Sequence, residues 1–149
     1  RQDSRQGDRR ALTLCRELPQ QVSLRENPDL LPPLALLAAL RPDRETNFTD
    51  AARLRNKESD RLAATAALLT ALGGRAQETA EGLAVRGVAC LQGGEVQSAG
   101  DHRLAMLAAC AALFCREPVV LRGADCTVKS YPAFWRDYAQ LGGKVEHLT

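Results

Sequence analysis

The 149-residue chain repeats itself at a constant offset, and this constrains its fold more than any other feature. Asp29 precedes an apolar run, a strand-like stretch, a loop and Lys57; Asp101 precedes the same order of features, ending at Lys129. The step that carries Asp29 to Asp101 is the same step that carries Lys57 to Lys129. Between these markers Leu34–Leu40 overlays Met106–Ala112, and Asn47–Ala52 overlays Val119–Ala124. Each copy then runs through a helical pattern to a Leu-Gly-Gly stop, at Leu72-Gly73-Gly74 and Leu141-Gly142-Gly143. Self-similarity of this kind means that one supersecondary unit is used more than once, each copy burying its apolar face against the next.

Each copy reads as helix, strand, loop, helix, strand. In the first, Ser59 and Asp60 open a helix whose Leu62, Ala63, Ala66 and Leu69 form an apolar stripe, stopped by Gly73 and Gly74. Residues 75–81 and 83–88 alternate as a hairpin around Glu81-Gly82. In the second, Ser130 is placed to cap a helix with Pro132 in its first turn, and Phe134, Trp135, Tyr138 and Leu141 share one face. A shorter third copy begins at Gly7-Asp8-Arg9, with a helix over 10–18 that resembles the one from Arg61. Pro32 and Pro33 fit a helix after Asn27-Pro28-Asp29 only in its first turn, where amide hydrogens have no intrahelical acceptor. The pattern predicts a mixed α/β (α+β) domain of repeated units.

Composition narrows what such a domain does. With 45% hydrophobic and 26% charged residues the chain is a globular domain rather than a disordered tail. A net charge of only +2 and 4% aromatics argue against a nucleic-acid surface. No apolar run approaches the roughly 20 residues that span a bilayer. The polar opening Arg1–Arg10 is no signal peptide, so a cytoplasmic protein without a membrane partner is expected. The cysteines (Cys15, Cys90, Cys110, Cys115, Cys126) are odd in number and lack a Cys-x-x-Cys spacing. Cys110 and Cys115, in an apolar helical run, are expected as small buried thiols of a reducing compartment, and no metal site is expected. The one methionine is Met106 and the chain opens at Arg1, which implies further sequence upstream. Lysine is scarce, at Lys57, Lys129 and Lys144, so each lysine's position is informative.

Charge-bearing chemistry concentrates at the loop-to-helix junctions. Asp29 is read either as a helix cap or as a site carboxylate. Asp101-His102-Arg103 holds the matching place in the second copy, at a helix start that favours an anion; His102 taken alone reads first as a packed structural histidine. The run Arg55-Asn56-Lys57-Glu58-Ser59-Asp60-Arg61 is either a solvated helix start or a carboxylate flanked by cations that hold a phosphate or carboxylate. If the two units pack side by side, their equivalent loops gather Asp29, Lys57, Glu58, Arg61, Asp101, Arg103 and Lys129. That set suits an anionic substrate undergoing proton transfer. A serine hydrolase is excluded by the absence of a Gly-x-Ser-x-Gly elbow, and His147 is read as inert.

Leu54-Arg-Asn-Lys-Glu-Ser-Asp-Arg-Leu62, Gly100-Asp-His-Arg-Leu-Ala-Met106 and Lys129-Ser-Tyr-Pro132 resemble the motifs of the EPSP synthases, the 3-phosphoshikimate 1-carboxyvinyltransferases. Asn27–Pro33 and Ser4–Arg9 resemble the same family, in the same order. The resemblance implies the enolpyruvyltransferase fold, an inside-out α/β barrel of βαβαββ units. It implies that residues 1–149 are a partial C-terminal domain, with 1–50 a shortened unit, 51–100 and 101–149 repeat-related segments, and the N-terminal domain elsewhere. It also implies shikimate-3-phosphate and phosphoenolpyruvate as substrates, with no cofactor. By motif position Asp29 matches the proton acceptor of the shikimate 5-hydroxyl, and Lys57 a shikimate-3-phosphate contact. Arg61, Arg103 and Lys129 match phosphoenolpyruvate ligands, Glu58 the carboxylate moving a proton at its methylene carbon, and His102 a neighbouring site histidine. Asn56 departs from the family's usual valine or isoleucine, and the segment from Leu18 to Asp29 is short for a complete unit. The isolated chain is expected to fold but, with one wall of a cleft, to be inactive. The competing readings are a non-catalytic anion-binding module with this fold and a UDP-N-acetylglucosamine enolpyruvyltransferase.

Overall fold

A computed structural model describes residues 9–148. The chain runs α1 (Arg9–Arg16), β1 (Gln21–Ser23), a 3₁₀ turn (Pro28–Leu30), α2 (Leu31–Ala39), β2 (Glu45–Thr49), a second 3₁₀ turn (Ala52–Asn56) and α3 (Arg61–Ala71). There follow β3 (Arg75–Glu78), β4 (Leu83–Arg86), β5 (Gly94–Gln97), α4 (His102–Ala112), β6 (Val119–Arg122), a third 3₁₀ turn (Ala124–Lys129) and α5 (Phe134–Gln140). The sequence repeat is visible in these elements: α2 maps onto α4, β2 onto β6, and the second 3₁₀ turn onto the third. β1 lies parallel to β2 through Val22↔Phe48, and its counterpart β5 lies parallel to β6 through Val96↔Leu121.

Helices α2, α3 and α4 pack on one another and the strands lie outside them, in a four-stranded sheet of order β1-β2-β4-β3 and a two-stranded sheet β5-β6. α2 is apolar nearly all round, with Leu31, Leu34, Ala35, Leu36, Ala38 and Ala39 buried, as a helix enclosed by others requires. Its prolines sit in the first turn, as their missing amide hydrogens demand. α4 contributes Leu104, Ala105, Leu107, Ala108 and Ala111 to the same core. The alanines let neighbouring backbones approach closely. α3 is capped by Asp60, whose Oδ1 accepts from the Ala63 amide at 3.1 Å, and is stopped by Gly73 at φ +84°.

The hairpin forms with shorter strands than the alternation suggests, its turn closed by the Thr79 amide donating to the Gly82 carbonyl at 2.9 Å. Gly82 is required there because a Cβ would lie 1.9 Å from the Phe48 carbonyl oxygen. Gly7 and Asp8 of the third copy lie outside the described residues, while its helix forms as α1. The stretch from α3 to β5 covers positions 72–93 and includes the hairpin, whereas only positions 17–20 separate α1 from β1. The shorter third copy therefore has no hairpin between its helix and its strand.

The second unit departs from expectation at its far end. Ser130 caps nothing: α5 starts at Phe134 with Ala133 in the capping position and no side-chain cap. The third 3₁₀ turn already occupies the backbone up to Lys129, so the helix can begin only after Pro132. Phe134, Trp135 and Tyr138 form an aromatic group in which Trp135 lies edge-on to the other two and Phe134 stacks on Tyr138, anchored by the Tyr138 hydroxyl on the Ala109 carbonyl, but Leu141 is 90% exposed. Residues 144–148 form no strand, since no described strand lies beside them to complete a ladder. Cys110 is exposed rather than buried, because it sits on the outer face of α4, and all five thiols are free. No described helix is long and apolar enough to cross a membrane.

Candidate functional site

The starts of three helices meet at one place. Asp29 comes from the 3₁₀ turn leading into α2, Glu58, Ser59 and Arg61 from the entry to α3, and Asp101 and Arg103 from the entry to α4. They converge because α2 and α4 are equivalent helices packed together, with α3 against both.

Arg61 is the centre of the group and is only 1% exposed. Its three nitrogens serve three carboxylates: Nε donates to Asp101 Oδ2 at 2.8 Å, Nη1 to Asp29 Oδ1 at 2.8 Å, and Nη2 to Glu58 Oε2 at 2.5 Å. Arg103 Nη2 takes the other Asp29 oxygen at 2.9 Å. Asp29 is therefore no helix cap; both of its oxygens are held by guanidinium groups from different repeats. The contact network holds two cations and three carboxylates, a formal charge of −1 that leaves an incoming anion in need of further cations.

Asp101 is fully buried. Its Oδ1 caps α4 by accepting from the Arg103 amide at 2.9 Å, and its Oδ2 also accepts from the Ser59 hydroxyl at 3.2 Å. Burial alone would push this carboxyl up, but the hydrogen bonds from Arg61, the Arg103 amide and Ser59 together hold it below its ordinary value of 3.8. A depressed folded value means that the stabilisation is complete above about pH 4 and is lost as pH falls through the lowered value. Acid titration of the isolated chain by circular dichroism should show Asp101→Asn with a shallower loss of stability below about pH 4 than wild type; parallel curves would exclude Asp101 as a source of the acid sensitivity.

The charged run of residues 55–61 is thus split between two tasks. Glu58, Ser59 and Arg61 face the cluster, whereas Arg55 turns to Glu78 of β3 at 2.5 Å and to Asp60 at 3.1 Å. Lys57, in extended backbone, and Lys129, ending the third 3₁₀ turn against α4, are exposed and stand outside the ion-pair network. His102 opens α4 half-buried, with no side-chain hydrogen bond among the described residues. Sequence reasoning did not find Ser59 as a donor to Asp101. Its signal was its place at the opening of α3, two residues before Arg61. No group of three or more His, Cys, Asp or Glu among the described residues is arranged to hold a metal ion. A groove of about 420 Å³ beside Leu18, Arg41 and Arg44 contains no member of the cluster.

Fold and site together define a class: an α/β repeat protein with its helices inside, which gathers paired arginines and carboxylates at adjoining helix starts. The family model of EPSP synthase (3-phosphoshikimate 1-carboxyvinyltransferase) matches residues 3–138, and the chain belongs to that family. It is similar to the 3-phosphoshikimate 1-carboxyvinyltransferase of Clostridium acetobutylicum, 51% identical over 122 residues, covering 82% of this chain and 28% of that protein. The Clostridium kluyveri enzyme of the same name is 38% identical over 166 aligned positions, 99% of this chain and 39% of the relative. The structure of EPSP synthase from Acinetobacter baumannii superposes with a TM-score of 0.73 at 31% identity, over 80% of this chain and 28% of that one. The enolpyruvyltransferase fold is thereby established. This chain spans well under half the length of these relatives.

Proposed function

We propose that this chain is the C-terminal part of an EPSP synthase and provides one wall of a site that transfers the enolpyruvyl group of phosphoenolpyruvate to the 5-hydroxyl of shikimate-3-phosphate. The observation that carries this reading is the convergence of Asp29, Glu58, Arg61 and Arg103, two potential proton carriers among cations, in a single network. Asp29 takes the proton of the 5-hydroxyl as that oxygen bonds to C2 of phosphoenolpyruvate, while Glu58 delivers a proton to C3. The tetrahedral adduct then breaks its C2–O bond to phosphate and returns the C3 proton, regenerating the double bond. Arg61, Arg103 and Lys129 hold the phosphate and carboxylate of phosphoenolpyruvate, Lys57 contacts shikimate-3-phosphate, and His102 lies beside them. Fixed cations aimed at developing charge, with reactants held in contact, supply the acceleration.

An exchange of partners follows from the geometry. With both oxygens of Asp29 on arginines, an anion that draws Arg103 to itself releases Oδ2 to accept a proton. The N-terminal half of the enzyme supplies the rest of the cleft, in the cytoplasm.

The test is to assay shikimate-3-phosphate and phosphoenolpyruvate with this chain joined to, or mixed with, an N-terminal enolpyruvyltransferase half. Phosphate release with enolpyruvyl transfer is expected. Failure of every folded combination, or acceptance of UDP-N-acetylglucosamine instead, would overturn the reading. Within the active enzyme, Lys129→Met and Arg103→Ala are each expected to raise the phosphoenolpyruvate KM about 10- to 100-fold, the worth of one charge-assisted hydrogen bond. A KM unchanged in both would remove them from the binding site.

A further inference from the structure

Asp101 is the one member of the cluster with no outlet to solvent, and none of the roles above uses it. Its two oxygens nevertheless reach both arginines of the site. Oδ2 holds Nε of Arg61, and Oδ1 holds the backbone amide of Arg103. A guanidinium is planar, so anchoring Nε fixes the direction of the other two nitrogens. Here they point to Asp29 and Glu58, whose side chains are 39% and 43% exposed and so mark the open side of the cluster. The bond also crosses from one repeat to the next, since Arg61 belongs to α3 and Asp101 to the start of α4. Ser59 adds a second donor to Oδ2 and stiffens the arrangement from the α3 side.

We infer that Asp101 is a positioning residue for the anionic co-substrate: one buried carboxylate sets the aim of the Arg61 fork through its side chain and the place of Arg103 through its backbone, with Ser59 as its support. This rests on the enolpyruvyl-transfer reading. Asp101 touches no substrate and moves no proton. Removing its charge therefore loosens the receptor for phosphoenolpyruvate and leaves the shikimate-3-phosphate contacts in place.

The test is steady-state kinetics of the complete enzyme, wild type beside Asp101→Asn and Ser59→Ala, with urea unfolding of each. Asparagine keeps one acceptor oxygen but turns an amide donor toward either Arg61 Nε or the Arg103 amide. The expected result is a phosphoenolpyruvate KM raised about tenfold in Asp101→Asn and about two- to threefold in Ser59→Ala, with the shikimate-3-phosphate KM unchanged and kcat within about threefold. A purely structural role would lower the unfolding midpoint and leave the two KM values in their wild-type ratio, and that result overturns the inference. If Asp101→Asn does not fold, Ser59→Ala decides: a phosphoenolpyruvate KM equal to wild type overturns it equally. A wild-type enzyme with no turnover refutes the enolpyruvyl-transfer reading itself, whereas an active wild type with an unshifted KM in folded Asp101→Asn refutes only the role of Asp101.

Discussion

Asp29→Ala in the complete enzyme is expected to lower kcat about 10²- to 10⁴-fold, the usual contribution of a positioned general base. The phosphoenolpyruvate KM should stay level or fall. The carboxylate is the present partner of Arg103 and of one Arg61 nitrogen, so its removal takes away a competitor for the incoming anion. A residue that only held the arginines in place would behave in the opposite way, with KM rising and kcat spared. Unchanged turnover in Asp29→Ala would refute its assignment as proton acceptor. A raised phosphoenolpyruvate KM would refute the exchange of partners.

Arg61→Ala is expected to produce the largest loss of stability of any single change at the site, about 3–5 kcal/mol, because it strands the Asp101 carboxylate in the interior. Domains of this kind are stable by only about 5–15 kcal/mol, so the variant stands near the edge of folding. Asp101 would keep the Arg103 amide and Ser59 but no cation. Adding Asp101→Asn should recover part of the loss, since the amide leaves no buried charge uncompensated. Urea unfolding of the isolated chain checks both: a cost below about 1 kcal/mol for Arg61→Ala, with an unchanged slope, would show that the buried charge is not held as described. Surface pairs give the contrast. Breaking Arg122–Glu95, both well exposed, should change stability by no more than about 1 kcal/mol.

How much of this was legible in the chain depends on the range of the interaction concerned. The cap at Asp60, the stop at Gly73 and the hairpin turn at Gly82 are set by residues within a few positions of one another, and they form where the pattern places them. The equivalence of α2 and α4 was visible because the repeat carries its landmarks at a constant offset. Ser130 failed as a cap for a local reason: the 3₁₀ turn before it used the backbone a longer helix would have needed. The strand expected after Gly143 failed for a non-local one, as pairing needs a neighbour that no local pattern reports. Cys110 shows the limit of apolar periodicity, which marks a helix but does not say which side of it another element will cover.

The site divides along the same line. Sequence by itself named the candidates: the constant offset of the repeat matched Asp29 with Asp101 and Lys57 with Lys129, and the motif residues marked Glu58, Arg61, His102 and Arg103. It also placed Asp29, Arg61 and Asp101 at helix starts, because proline, aspartate and serine act there over single turns of chain. Only the tertiary structure decided which of them touch. It turned Asp29 from a cap into a bridge between two arginines, left Lys57 and Lys129 exposed and outside the network, and buried Asp101 with Ser59 as a donor to it. The reason is that a charged side chain takes its partner from whatever the packing of other elements brings within about 3 Å. Here that packing joins Asp29 to Arg61 and Arg103, partners far from it in the chain.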